Sequence, residues 1–125
     1  YVVDTANCRV QRFDPTGHFL VGWGSPGSEA GQFRYPAGIA ITRAGHVYVA
    51  DSRNRRLQRF DAAGRYLASW TVEPGDAEPG FQNPRAIAVS AGGHLFVTDA
   101  DSHCVYRFRE VDEMPGPAAD HGRMA

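Results

Sequence analysis

Tyr48-Val49-Ala50-Asp51-Ser52-Arg53-Asn54-Arg55-Arg56-Leu57-Gln58-Arg59-Phe60-Asp61 is the stretch on which the fold turns, because it comes back. Its first four residues occur earlier as Tyr1-Val2-Val3-Asp4 and later as Phe96-Val97-Thr98-Asp99. Asp4 and Asp51 are 47 residues apart, Asp51 and Asp99 48. Arg56-Leu-Gln-Arg-Phe-Asp61 has its twin in Arg9-Val-Gln-Arg-Phe-Asp14, and a weaker copy runs from Cys104 to Arg107-Phe108. Working outward, Gly17 matches Gly64 and Trp23 matches Trp70. Phe33, Pro36, Ile39 and Gly45 match Phe81, Pro84, Ile87 and Gly93. A fixed period of this size announces a repeat architecture, in which one supersecondary unit buries its faces on its neighbours.

Each unit reads as four short strands, near Gly38–Thr42, His46–Asp51, Arg56–Asp61 and Tyr66–Trp70 in the complete copy. They are rich in β-branched and aromatic residues and bounded by Gly, Pro, Asp or Asn. No stretch holds a helical period over a sustained run. Four strands in a unit of 47–48 residues describe the blade of a β-propeller, a small antiparallel sheet packed face to face on its neighbours. The fold expected is therefore all-β, a propeller fragment of about two and a half blades. Its first unit lacks the inner strand, its second is complete and its third lacks the outer strand. Residues 1–110 form the partial propeller; residues 111–125, with Met114-Pro-Gly-Pro117 and small or polar residues, read as a disordered tail or linker. The chain opens on Tyr1 inside a strand-like stretch, so its natural start and any leader are expected upstream.

The second unit, and the lead-in Gly31-Gln-Phe33-Arg-Tyr-Pro36-Ala-Gly38-Ile39, resemble the NHL repeat. The likeness runs from residue 1 to about 110. The triplet that names that family has histidine in its middle; here Asn54-Arg55-Arg56 has arginine, Asn7-Cys8-Arg9 cysteine, and Ser102-His103-Cys104 keeps the histidine. The resemblance implies a closed ring of about six blades, so the remaining blades, or self-association, are expected to complete it. It also implies three kinds of function. One is a scaffold that presents loops on one face to a protein or peptide. Another is a metal-dependent propeller lyase or hydrolase, whose catalytic residues would lie in other blades. The third is an RNA-binding propeller.

Composition narrows these. The formal net charge is −1, from 14 acidic and 13 basic residues, which gives no global attraction to nucleic acid or to an anionic membrane. No apolar run approaches the roughly 18 residues of a membrane helix, so no membrane insertion is expected. The compartment is not indicated. Cys8 and Cys104 make neither a disulfide framework nor a zinc pattern. His18, His46 and His94 follow turn glycines in different blades and do not converge on a point, so no metal site and no cofactor are expected. Asp4, Asp51 and Asp99 recur in every unit, which marks them as turn-formers that serve the blade.

Arginine is the uneven feature. Arg53, Arg55 and Arg56 crowd the turn between the second and third strands of the complete blade. The loops that lead into inner strands lie on the same propeller face and carry Arg34-Tyr35 and Asn83-Pro84-Arg85. Arg85 stands where the previous unit has Ala37, so the repeat does not impose it. Arg34, Tyr35, Arg53, Arg55, Arg56 and Arg85, with His103 on the equivalent turn of the next blade, are the candidate binding residues. Arginine suits phosphate, carboxylate and protein hot spots alike. No catalytic residue is assigned.

Overall fold

The computed structural model describes residues 1–72 and 80–110 and the backbone of residues 121–124. Among the described residues eleven strands form three antiparallel sheets. The first holds β1 (Val2–Asp4), β2 (Arg9–Phe13) and β3 (Phe19–Trp23). The second holds β4 (Pro36–Ile41), β5 (Val47–Asp51), β6 (Arg56–Phe60) and β7 (Tyr66–Trp70). The third holds β8 (Pro84–Val89), β9 (His94–Asp99), β10 (Cys104–Arg109) and β11 (His121–Met124). Within each sheet the strands follow chain order, the meander of a propeller blade. The registers repeat as the sequence does: Asp4 faces Arg9, Asp51 faces Arg56 and Asp99 faces Cys104.

The third sheet corrects one expectation. It does have an outer strand, because the backbone of His121–Met124 pairs antiparallel with Val105–Phe108. A strand edge left by β10 would expose a row of unpaired N–H and C=O groups, and that pairing is made by backbone whatever the side chains are. Of the tail expected over residues 111–125, residues 111–120 lie outside the described residues, as do residues 73–79.

Alternation explains the packing. Val47 and Val49 of β5 face the first sheet, in a cluster with Val10, Phe33 and Phe60. Tyr48 and Ala50 face the third, in a cluster with Leu57, Trp70, Phe81, Leu95, Val97 and Tyr106. A strand buried on both sides reads as a continuous apolar run, and every residue of β5 is buried. Each such side chain contributes roughly 1.5–3 kcal/mol on full burial. Trp23 crosses from the first sheet to lie 5.6 Å from the Phe60 ring. It also covers Gly64, where a Cβ would come within 2.6 Å of the indole and where φ is +88°, so the turn requires glycine twice over. At the far end Tyr48, held neutral chiefly by burial, donates to Glu110 Oε2 at 2.8 Å, and the same oxygen lies 3.0 Å from His46 Nδ1. These contacts join the second sheet to the third.

The aspartates organise turns, as their recurrence suggests. Asp51 is fully buried, and its carboxylate accepts from the Arg34 backbone N–H (2.7 Å), Asn54 Nδ2 (2.8 Å), Arg56 Nε (2.8 Å) and Gln58 Nε2 (3.2 Å). Asp99 accepts from the backbone N–H groups of Gln82, Asn83, Asp101 and Ser102. Gln58 then ties the lead-in loop, accepting from Gly31 N–H at 2.9 Å and donating to the Gln32 carbonyl at 2.6 Å. Tyr106 does the same for the next blade, its hydroxyl donating to the Gly80 carbonyl at 3.1 Å. Different residue types thus pin equivalent loops. No helix among the described residues is long and apolar enough to cross a membrane.

Candidate binding site

Two kinds of loop meet on one face, and the repeat puts them there. After β5 the chain makes a single 3-10 turn, Ser52–Asn54, and ends it at Arg55 in the left-handed region, φ +55°. Cys8 and His103 take the same conformation at the equivalent positions, so this is a property of the blade. The lead-in to β4 is stitched to that turn by two backbone bonds, Ser52 N–H to the Tyr35 carbonyl (3.3 Å) and Arg53 N–H to the Arg34 carbonyl (3.0 Å). The Ser52 hydroxyl donates to the Pro84 carbonyl and so fastens the turn to the next blade. Thr5 makes the matching bond to the Pro36 carbonyl at 2.9 Å.

Between these loops lies an open concavity of about 530 Å³. Arg34, Tyr35, Arg53, Arg55 and Arg85 all line it, five of the seven residues singled out by sequence. Two of these arginines lie over the Tyr35 ring. The Arg53 guanidinium lies 5.2 Å from the ring centroid and that of Arg85 5.5 Å, from a different blade. Each cation–π contact at so exposed a ring contributes roughly 0.5–1 kcal/mol. Tyr35 itself adopts φ +55°, uncommon for a bulky residue, whereas its counterpart Asn83 is not in that region. The two backbone bonds to the Ser52–Arg53 turn, with Asp51 accepting from Arg34, hold it there.

The electrostatics are one-sided. None of Arg34, Arg53, Arg55 and Arg85 has an acidic partner among the described residues. The carboxylate on the lining is that of Asp101, which accepts from Asn83 Nδ2 at 3.5 Å. Arg85 reaches the site because β4 and β8 run close together: a Cβ on Gly38 would lie 2.2 Å from the Arg85 carbonyl oxygen. Ser52, Gln82 and Asp101 also line the concavity and were not singled out by sequence. The repeat offered a signal for Gln82, which stands where the previous unit has Arg34.

Two of the seven lie elsewhere. Arg56 is turned away, with Nε 2.8 Å from Asp51 and its other nitrogens on the carbonyls of Ser28, Glu29 and Gln32. Arg9 pairs with Asp4 in the same way, so this arginine belongs to the blade. His103 is exposed at the end of the next turn and does not line the concavity. Among the described residues no group of three or more His, Cys, Asp or Glu could hold a metal ion.

Comparison with known proteins fits this architecture. The model of the NHL repeat matches residues 33–60 and 81–108. No curated protein matches the sequence. A solved structure of a catalytically inactive virginiamycin B lyase from Staphylococcus aureus with quinupristin superposes with a TM-score of 0.68 at 15% identity. That match covers 96% of this chain and 35% of the lyase. A streptogramin B lyase structure gives 0.63 at 15% identity, over 85% of this chain and 32% of that one. A protein of unknown function from Bacteroides caccae gives 0.60 at 18% identity, over 91% and 38%. The chain thus spans about a third of the length of these structures, and at such identities the likeness is one of fold. The matched segments begin 48 residues apart, the interval of the internal repeat, and the chain carries NHL repeats folded as part of a β-propeller.

Proposed function

We propose that this propeller segment is an interaction module, which takes hold of an anionic segment of a protein or peptide partner at the concavity around Tyr35. One observation carries the reading: four guanidinium groups without acidic partners among the described residues gather with an exposed aromatic ring on loops of two blades. Arginine and tyrosine are the side chains that dominate binding surfaces, and a guanidinium loses little on desolvation. The rim amides of Gln82 and Asn83 add donors and acceptors suited to a peptide backbone. An RNA ligand would use the same arginines, but the net charge of −1 and the absence of lysine give little of the extended basic track that a nucleic-acid backbone needs. The two lyases share this fold, and their likeness carries no further.

The test is binding of a panel of acidic peptides, with single-stranded poly-uridine beside it, to the wild type and to the triple variant Arg53→Ala, Arg55→Ala, Arg85→Ala. Peptide binding should fall by at least about tenfold in the variant, the loss of roughly 1.5–3 kcal/mol expected for charged hydrogen bonds. It should weaken with salt, as exposed charges are screened. Thermal stability should change little, since these side chains are exposed, have no acidic partner among the described residues and give up only the two surface cation–π contacts to Tyr35. Full-strength binding by the variant would count against the site, and preference for poly-uridine would favour the nucleic-acid reading.

A further inference from the structure

The chemistry of this concavity is more specific than acidity. We infer that the group it takes is a phosphoryl dianion carried on a peptide side chain; the inference rests on the reading of this face as a peptide-binding surface. The first argument is charge. Arg34, Arg53, Arg55 and Arg85 line the concavity against the single carboxylate of Asp101. One peptide carboxylate would leave most of that excess uncompensated, whereas a phosphorylated side chain brings about −1.5 to −2.

The second argument is shape. A guanidinium presents a planar fork of donors that one carboxylate can satisfy, two oxygens to two N–H groups. Here Arg53 and Arg85 come from different blades and lie over the same Tyr35 ring, at 5.2 and 5.5 Å. Two forks anchored on one ring call for a ligand that can accept from two directions at once. The three terminal oxygens of a phosphoryl group, spread out of one plane and carrying more charge, satisfy two such forks more fully than the two coplanar oxygens of a single carboxylate. The third argument is preorganisation. Tyr35 is fixed in the left-handed region by the Ser52–Arg53 turn and by Asp51 behind Arg34, so the ring on which both guanidiniums rest is placed before a ligand arrives.

The experiment uses the full chain and the labelled peptide Ala-Gly-X-Gly-Ala, with X phosphoserine, aspartate or serine, followed by fluorescence anisotropy at low salt. The phosphoserine peptide should bind at least about tenfold more tightly than the aspartate peptide. Its advantage should shrink severalfold from about pH 7.5 to about pH 5.5, because the phosphoryl group takes up its second proton near pH 6 while arginine stays charged. Arg53→Ala and Arg85→Ala should each remove the preference. Arg43→Ala, an exposed arginine outside the concavity, should leave it intact. Equal binding of the aspartate peptide would overturn the phosphoryl assignment and leave the interaction module standing. Displacement by inorganic phosphate at the same concentration as by unlabelled phosphopeptide would reassign the site to a free phosphate and overturn the peptide source. Binding of none of the three peptides would overturn the inference, and the acidic panel above would then decide the broader reading on its own.

Discussion

Arg85 shows how a candidate binding residue can be picked out in a repeat. Positions that recur serve the blade; a departure from recurrence has to be explained otherwise. Arg85 replaces Ala37, and the structure brings it to the concavity beside Tyr35. Arg56 was misplaced because crowding along the chain is not crowding in space. It begins β6 opposite Asp51, and its twin Arg9 pairs with Asp4. That recurrence was visible in the sequence and marks it as scaffold. Gly38 was not legible as a site determinant, because its role depends on how near β8 passes. A methyl group there would meet the Arg85 carbonyl at 2.2 Å, a backbone atom that cannot swing aside. Gly38→Ala should therefore push β8 from β4, displace Arg85 from Tyr35 and weaken peptide binding. The overpacking should also cost roughly 1–3 kcal/mol of stability. Denaturant unfolding beside the anisotropy assay checks both; unchanged stability would show that the two inner strands are not in such close contact.

At the scale of the element, strands and turns follow from local chemistry. The apolar alternation and the Asp, Gly and Pro punctuation placed the four strands of the complete blade within two residues of their observed bounds. The outer strand His121–Met124 escaped, since His-Gly-Arg-Met has no alternation to announce it and its pairing is made by the open edge of β10. The joints between blades were also hidden, being made by single side chains. Thr5 and Ser52 each donate a hydroxyl to the proline carbonyl that opens the next inner strand, and the third unit has Ala100 at that position. Ser52 is 1% exposed, so its partner has no water to replace it. Ser52→Ala should cost roughly 1–2 kcal/mol, the loss of a hydrogen bond plus an unsatisfied buried carbonyl. It should also raise amide exchange in β8 more than in β2. Exchange that rises equally in both strands would mean that the hydroxyl stabilises the whole chain without acting as a clasp.

On the scale of the whole molecule, stability is shared between blades. Each cluster of buried side chains lies between sheets, so the middle sheet is covered on both faces and the flanking sheets on one each. Among the described residues β1 pairs with β2 alone, and its other edge offers backbone N–H and C=O groups. Val2 on that strand is 48% exposed. On the third sheet Ala86, Ala88 and Thr98 are exposed on successive strands. About three or more repeats are needed before such an array stands alone, and capped ends are needed to keep it soluble. These edges and faces are those that neighbouring blades cover in a closed ring. The 125-residue chain taken by itself should therefore be marginal or self-associating. Sedimentation together with thermal unfolding measures this. Association that grows with concentration, and a melting temperature that rises with it, are the expected results, because mass action stabilises whatever binds the folded state. A compact monomer with a sharp, reversible transition above roughly 60 °C, high for a mesophile domain, would show that three sheets suffice, and that the open edge of β1 is protected by means other than pairing.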